Sequence, residues 1–368
     1  MSTKYYDAKK LLSKNAKYSM VFGERSNGKT YQFLLEGLKE HVKYGNQMGI
    51  LRRWREDFQN KRAAKYFDNL VCNGKGENKV KELTGGKYDT VIYDSSRWYL
   101  AYYDHEEEKY IKEPEPLAYA FALSEMEHEK GNSYPKITII FLDEFMTKGR
   151  YLVDEFVLFM NVCSTIIRDR TNVRIFMAAN TISKYCPYFN EMGLNHIKQM
   201  KKGDIDIYNY GDSGLTVAVE YSDSPNKLGK PSDVYFAFDN PKLKMITSGE
   251  WELDIYPHLQ YKYDQKDVIF RYFIMFDNNI LEAEIVITEN QAFTFIHKKT
   301  TPIKHENQDI IFTTDANQNI NYLGKLTKPI NKVGRKIYYF FSANKVFYSS
   351  NDVGEIMNHY LLWCNKVA

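Results

Sequence analysis

The sequence predicts an α/β protein, a mainly parallel sheet flanked by helices, followed by a smaller α+β domain. Three observations carry this. Residues 18–30, YSMVFGERSNGKT, run from an apolar strand-like segment through a glycine-bounded loop into a helical pattern. Residues 137–142 are another apolar run and end in Asp143-Glu144. Beyond about residue 260, short strand-like segments separated by turn residues take over.

The first stretch organises the rest. Gly23-Glu24-Arg25-Ser26-Asn27-Gly28-Lys29-Thr30 fits G-x-x-x-x-G-K-[ST]. Gly23 and Gly28 allow a tight turn in which successive N–H groups point at phosphate oxygens. The helix that follows adds its positive end. Lys29 then reaches the β- and γ-phosphates of ATP, and the Thr30 hydroxyl faces Mg²⁺. The flanking strand and helix pattern disfavour the alternative, a surface turn that happens to carry Lys-Thr.

Composition bounds the class. The chain has 368 residues, enough for two domains, with 43% hydrophobic and 26% charged residues. A net charge of +3 is too small to demonstrate a polyanionic partner, although 50 basic residues can still build a local basic surface. Aromatics reach 15%, which suits strands and stacking surfaces equally. Cys72, Cys163, Cys186 and Cys364 are scattered, so no zinc site or disulfide framework is expected, and a reducing cytoplasm fits. No apolar run approaches transmembrane length, and the N-terminus lacks a secretory core.

Taken in order, Tyr5 and Tyr6 are candidates either to stack on an adenine or to pack at the sheet edge. Residues 47–54, QMGILRRW, read as a strand from which Arg52, Arg53 and Arg55 emerge, as phosphate ligands or as a solvated charge cluster. Residues 57–89 read as basic helix and loop, a DNA-tracking loop or a solvated surface. Strands are expected at 89–93 and 98–103. KITIIFLDE, residues 136–144, has the form of a strand covered on both faces. Behind a P-loop, its acidic end reads as Walker B: Asp143 for Mg²⁺ and Glu144 for the attacking water. Val153, Phe156, Val157, Met160 and Ile167 then sit at helical spacing and are expected to face the sheet. The strand at 173–179 ends at Asn180, a γ-phosphate sensor by position. Arg168 and Arg170, expected near the carboxyl edge, are candidates to act on a neighbouring subunit's transition state.

From about residue 200, glycines and polar residues suggest a connecting or lid segment. The expected boundaries are 1–199, 200–259 and 260–368. The last domain reads as a β-meander over 268–298, further strands at 337–341 and 346–348, and a terminal helix from about 352 to 363.

Taken together, KYGNQMGILRRWRE, SYPKITIIFLDEF and STIIRDRTNVRIFMAAN followed by KYCPYF make the chain resemble the DNA-packaging ATPases of phi29-like podophages. The resemblance covers most of the chain. It implies an ASCE-type P-loop ATPase acting as a homo-oligomeric ring, likened to the family's pentamers, that pumps double-stranded DNA into a preformed capsid. It implies that Arg168 is the trans finger and Arg55 an interface residue. It also implies an RNase H-like C-terminal domain without catalytic metal, an adaptor to the portal or to a packaging RNA, in a particle assembled in host cytoplasm. The chain is somewhat longer than that pattern. It adds Asp277, Glu282 and Glu284 on the meander, either a metal site or the exposed side of an antiparallel sheet, and the second reading is preferred. Two other functions stay open: an ATP-driven assembly switch without DNA, and a terminase with an active nuclease.

Overall fold

The computed structural model describes residues 5–25, 27–73, 75–125, 131–147, 149–180, 186–197, 199–223, 256–260, 262–315 and 317–366. The chain divides into two compact units, Met1–Thr147 with Leu152–Glu252, and Lys148–Tyr151 with Leu253–Ala368.

The first unit contains α1 (Lys9–Leu12), β1 (Tyr18–Gly23), α2 (Lys29–Tyr44), β2 (Gln47–Arg52), α3 (Asn60–Ala64), α4 (Asp68–Val71) and α5 (Lys79–Leu83). It continues with β3 (Thr90–Asp94), β4 (Arg97–Asp104), β5 (Lys109–Lys112), β6 (Ala118–Ala122), β7 (Ile137–Asp143), α6 (Glu155–Ile167), β8 (Arg174–Asn180), α7 (Pro187–Glu191), β9 (Ile205–Asn209) and β10 (Thr216–Ser222). The sheet order is β3-β4-β6-β2-β7-β8-β1-β10-β9, with β5 paired to β4. From β6 through β10 every neighbouring pair is parallel. Every residue of β1 and β7 is buried, as expected of strands covered on both faces.

The crossovers fix where the loops lie. Phe33 of α2 stacks on Phe176 at 4.8 Å and meets Phe141 at 5.4 Å, which seats that helix on one face. Ile166 of α6 lies against Gly49, whose neighbours Met48 and Ile50 pack with α2. Strand residues alternate sides, so α6 covers the opposite face. A crossover between adjacent parallel strands must run back along the sheet. α6 therefore begins at the carboxyl edge and ends at the amino edge.

Two expectations change in this unit. The buried side of α6 is Glu155, Phe159, Val162, Cys163 and Ile166. Val153, Val157 and Met160, expected to face the sheet, are exposed. Nine of the thirteen residues of this helix are apolar and they fall on all its sides, so spacing alone selects no face. Residues 205–222, expected within a lid or connector, are β9 and β10, and β10 pairs parallel with β1 over six residues. The glycines at 203, 211 and 214 flank these strands and hid them. Residues 224–255 lie outside the described residues.

The second unit contains β11 (Val268–Phe276), β12 (Asn279–Ile287), β13 (Ala292–Lys298), β14 (Ile311–Thr313), β15 (Tyr322–Leu323), α8 (Lys332–Ser342), β16 (Val346–Tyr348) and α9 (Asn351–Lys366). Its sheet runs β15-β14-β11-β12-β13-β16. The meander is antiparallel, while β14 is parallel to β11 and β15 to β14. Numbered by their order within this unit, the first five strands run 3-2-1-4-5, with β16 added outside. The strand expected at 337–341 is part of α8. Asn331 caps this helix by accepting the Gly334 N–H at 2.7 Å. The buried residues of α8, Gly334 and Ile337, are three apart, so the period is helical although the residues favour strands.

Candidate nucleotide site and its relatives

Strand register assembles the site. Gly23 at the end of β1 stands beside Asn180 of β8 and Ser222 of β10. Asp143 ends β7 in the same edge, and Arg52 ends β2 beyond it. Gly23 has φ 154°, and a Cβ there would lie 2.1 Å from Ser222 Oγ. Asn27 Nδ2 also donates to Ser222 Oγ at 3.1 Å, so β10 holds both ends of the turn that leads into α2. Gly28 has φ 97°, the left-handed conformation that lets the chain swing into the helix.

Lys29 is buried. Its Nζ donates to Glu24 O at 2.6 Å, Asn27 Oδ1 at 3.1 Å, Gly23 O at 3.4 Å and Asn180 Oδ1 at 3.4 Å. The Thr30 hydroxyl donates to Asp143 Oδ1 at 3.1 Å. Arg25 is exposed on the loop, and Ser26 lies outside the described residues. A cavity of about 470 Å³ opens over this turn, with Tyr5, Tyr31, Asn69 and Asn73 among its walls. Tyr6 is instead buried and donates to Glu220 Oε2 at 2.8 Å.

The acidic end of β7 is held by one cation, Arg52, and a phenol. Asp143 Oδ2 accepts from Tyr66 at 2.6 Å and from Arg52 at 3.1 Å. Arg52 also bonds Glu144 Oε2 at 2.7 Å. Burial by itself would lower the Arg52 pKa; Asp143, then Tyr66, Glu144 and Asp57, push it above its usual value. Burial and then Asp143 push the Tyr66 phenol well up, so it remains a donor. Glu144 sits at φ 58° with its carboxylate half in solvent. Arg53, read from sequence together with Arg52, turns inward and forks onto Glu155 at 2.6 and 2.7 Å.

The remaining arginines lie elsewhere. Arg55 is exposed and pairs with Glu125 at 2.8 Å. Arg168 and Arg170 follow α6 at the amino edge, opposite the P-loop, not at the carboxyl edge as expected. A strand of seven residues separates the two edges by roughly 20 Å. Arg170 donates to the carbonyls of Tyr134, Pro135, Ile137 and Ile166, tying α6 to the start of β7. Arg168 is exposed, reaches Asn132 O at 2.6 Å, and takes φ 49°, ψ −124°, which is rare outside glycine.

Sequence reasoning missed Tyr66, Glu155, Tyr188 and Ser222. Tyr188 lies in the quoted stretch KYCPYF but without a role assigned to it, the other three belong to no motif, and each comes from a different part of the chain. In the second unit, Glu282, Glu284 and His297 offer ligand atoms within 4.8 Å of one another. Glu284 is buried rather than exposed as expected. Arg271 bonds it at 3.0 Å, and Lys299 bonds Glu282 at 2.9 Å, so cationic side chains already neutralise the carboxylates. Asp277 lies in the β11–β12 turn, outside this group.

β8 stands between the P-loop strand and the strand ending in Asp143-Glu144, which defines an ASCE-type P-loop domain. The family model described as Podovirus DNA encapsidation protein (Gp16) matches residues 1–88 and 106–323, and the chain belongs to that family. The DNA packaging protein of Bacillus phage phi29 is 26% identical over 188 residues, 50% of this chain and 49% of that protein. The chain thus spans about half the length of the curated relatives it matches. Two solved structures are alike in fold. The Phi-28 gp11 DNA packaging motor has a TM-score of 0.59 and 19% identity, covering 100% of this chain and 99% of that one. The bacteriophage Phi-29 viral genome packaging motor assembly also gives 0.59 and 19%, covering 96% and 98%.

Proposed function

We propose that this chain is the ATP-hydrolysing subunit of a motor that drives double-stranded viral DNA into a preformed capsid. One observation supports this most: Lys29 and Thr30 of the P-loop, Asp143 at the end of one strand and Asn180 at the end of another come from three separate motifs and meet in one edge of the sheet. The family membership adds the DNA. In this reading the turn from Gly23 through Thr30, including Glu24, Arg25, Ser26 and Asn27, wraps the triphosphate, and Lys29 neutralises its charge. Thr30 and Asp143, two oxygen donors 3.1 Å apart, fit a hard cation. They would hold Mg²⁺, which supplies Lewis-acid stabilisation of the phosphates when bound. Glu144 activates the attacking water once its carboxylate leaves Arg52. Asn180 senses the γ-phosphate through its contact with Lys29.

Because Arg168 lies across the sheet from its own P-loop, it would serve a neighbour, which calls for a homo-oligomeric ring. Arg55 is a second interface residue in this reading, while the carbonyl ties of Arg170 assign it to the fold. The C-terminal unit would adapt the ring to the portal or to a packaging RNA on the procapsid vertex, in host cytoplasm. No helix among the described residues is long and apolar enough to cross a membrane.

The test is ATP hydrolysis with and without linear duplex DNA. Stimulation by DNA that disappears in Lys29→Ala is expected. Hydrolysis indifferent to DNA would favour an assembly switch instead.

A further inference from the structure

Beneath the loop that follows β7, three polar side chains from three elements meet in the core. Arg53 follows β2, Glu155 opens α6 and Tyr188 lies in α7; their exposures are 7%, 2% and 0%. Arg53 Nε and Nη2 fork onto the two Glu155 oxygens at 2.6 and 2.7 Å. Tyr188 donates its hydroxyl to Glu155 Oε1 at 2.9 Å, and burial followed by Glu155 pushes that phenol well up, keeping it a donor. The same guanidinium donates to Phe145 O at 3.1 Å and to Glu144 O at 3.4 Å. Glu155 Oε2 in turn accepts the Leu152 N–H at 2.8 Å. One buried ion pair therefore grips both ends of the loop that starts at Glu144.

Stability alone is a poor reason for such a pair. Desolvating two charges offsets most of their attraction, and apolar residues of similar size stabilise a core as well or better. What apolar residues do not supply is donors aimed at two consecutive carbonyls. Those carbonyls belong to Glu144, which has φ 58°, and to its successor. Arg53 thus fixes the peptide that carries the Glu144 side chain, while its neighbour in sequence, Arg52, grips the carboxylate itself.

We propose that Arg53, Glu155 and Tyr188 are positioning residues for Glu144: they set its backbone so that the carboxylate, released from Arg52, points at the attacking water. This rests on the reading of Glu144 as the water-activating group. Displacement of a reacting group by about 1 Å from a supporting position lowers turnover on the order of tenfold to a hundredfold.

The experiment measures kcat for ATP, equilibrium ATP binding and thermal unfolding for the full chain carrying Arg53→Lys or Tyr188→Phe. Arg53→Lys keeps the charge and loses the fork. The expected result is a kcat reduced about tenfold to a hundredfold, with ATP affinity changed by no more than about threefold. Tyr188→Phe deletes only one hydroxyl, so it keeps the test open should Arg53→Lys fail to fold, and it is expected to show the same split with a smaller loss. Each change is then combined with Glu144→Gln and read in single-turnover hydrolysis. Positioning through Glu144 predicts little further loss in the double variants. Losses that multiply, affinity that falls together with kcat, or an unchanged kcat in Tyr188→Phe overturns the proposal while leaving the ATPase reading intact. A wild-type chain that binds but does not hydrolyse ATP in the presence of DNA removes the ATPase reading, and this proposal with it.

Discussion

At the scale of residues, Lys29 and Glu144 do different work and are expected to fail differently. Lys29 Nζ sits among four oxygens, and in the proposed mechanism it carries the charge that the phosphates need. Lys29→Ala is expected to abolish ATP binding and hydrolysis together. Glu144→Gln keeps the shape and loses only the proposed base, so it is expected to bind ATP and not turn it over, leaving only a residual single-turnover rate. Filter binding beside a phosphate-release assay separates the two, and normal hydrolysis by Glu144→Gln would remove Glu144 from its assigned role. Arg168→Ala is expected to bind ATP normally and hydrolyse it on the order of a thousandfold more slowly. Mixed with Lys29→Ala chains, it should recover part of the activity, because each variant supplies the half-site that the other lacks. No recovery under conditions where wild-type chains form rings would make Arg168 a residue of the fold, like Arg170.

At the scale of elements, two contacts are decisive. The P-loop depends on β10, because Ser222 Oγ occupies the space that a Cβ on Gly23 would need. Gly23→Ala is therefore expected to weaken ATP binding strongly, even though alanine is the smallest change available. Ser222→Gly in the same chain should restore part of the affinity by opening the space; failure of this rescue would mean that the positive φ, and not the contact, is limiting. The second contact is the face of α6. Phe159 is fully buried, whereas Val157 is exposed. Phe159→Ala is expected to destabilise the unit by about 3–5 kcal/mol, and Val157→Gln by less than about 0.5 kcal/mol. Urea midpoints that reverse this order would mean that the helix packs on the other side.

At the scale of the whole molecule, the second unit carries a buried group that makes its stability depend on pH. His359 in α9 is buried beside Tyr151, with ring centroids 5.6 Å apart, and burial lowers its pKa from 6.5 to about 4. The sign follows from which state takes the proton. Below pH 6.5 the unfolded imidazole protonates while the folded one stays neutral, so stability falls as pH falls from 6.5 to 4. The limit of this loss is roughly 3 kcal/mol, because each tenfold drop in proton affinity on folding is worth about 1.4 kcal/mol. His359→Gln is expected to flatten that part of the stability curve for the second unit, measured by thermal unfolding from neutral pH down through the folded pKa. An unchanged slope would mean that the imidazole is already charged when folded.

The sequence by itself determined the elements whose chemistry is local. A glycine-bounded loop between strand and helix, an apolar strand ending in Asp-Glu, and a strand ending in Asn were legible because spacing and residue type are enough to define each. The family was legible for the same reason. Tertiary structure alone decided what depends on pairing between distant segments. β10 became the neighbour of β1 across almost two hundred residues, so Ser222 entered the P-loop without any motif to announce it. Apolar residues on all sides of α6 concealed its buried face, and a run of aromatic residues concealed the helical period of α8. Arg52 and Arg53 are adjacent in sequence and chemically alike. Only the end of a strand, where successive side chains point to opposite sides, gave one to the carboxylates of Asp143 and Glu144 and the other to the buried Glu155.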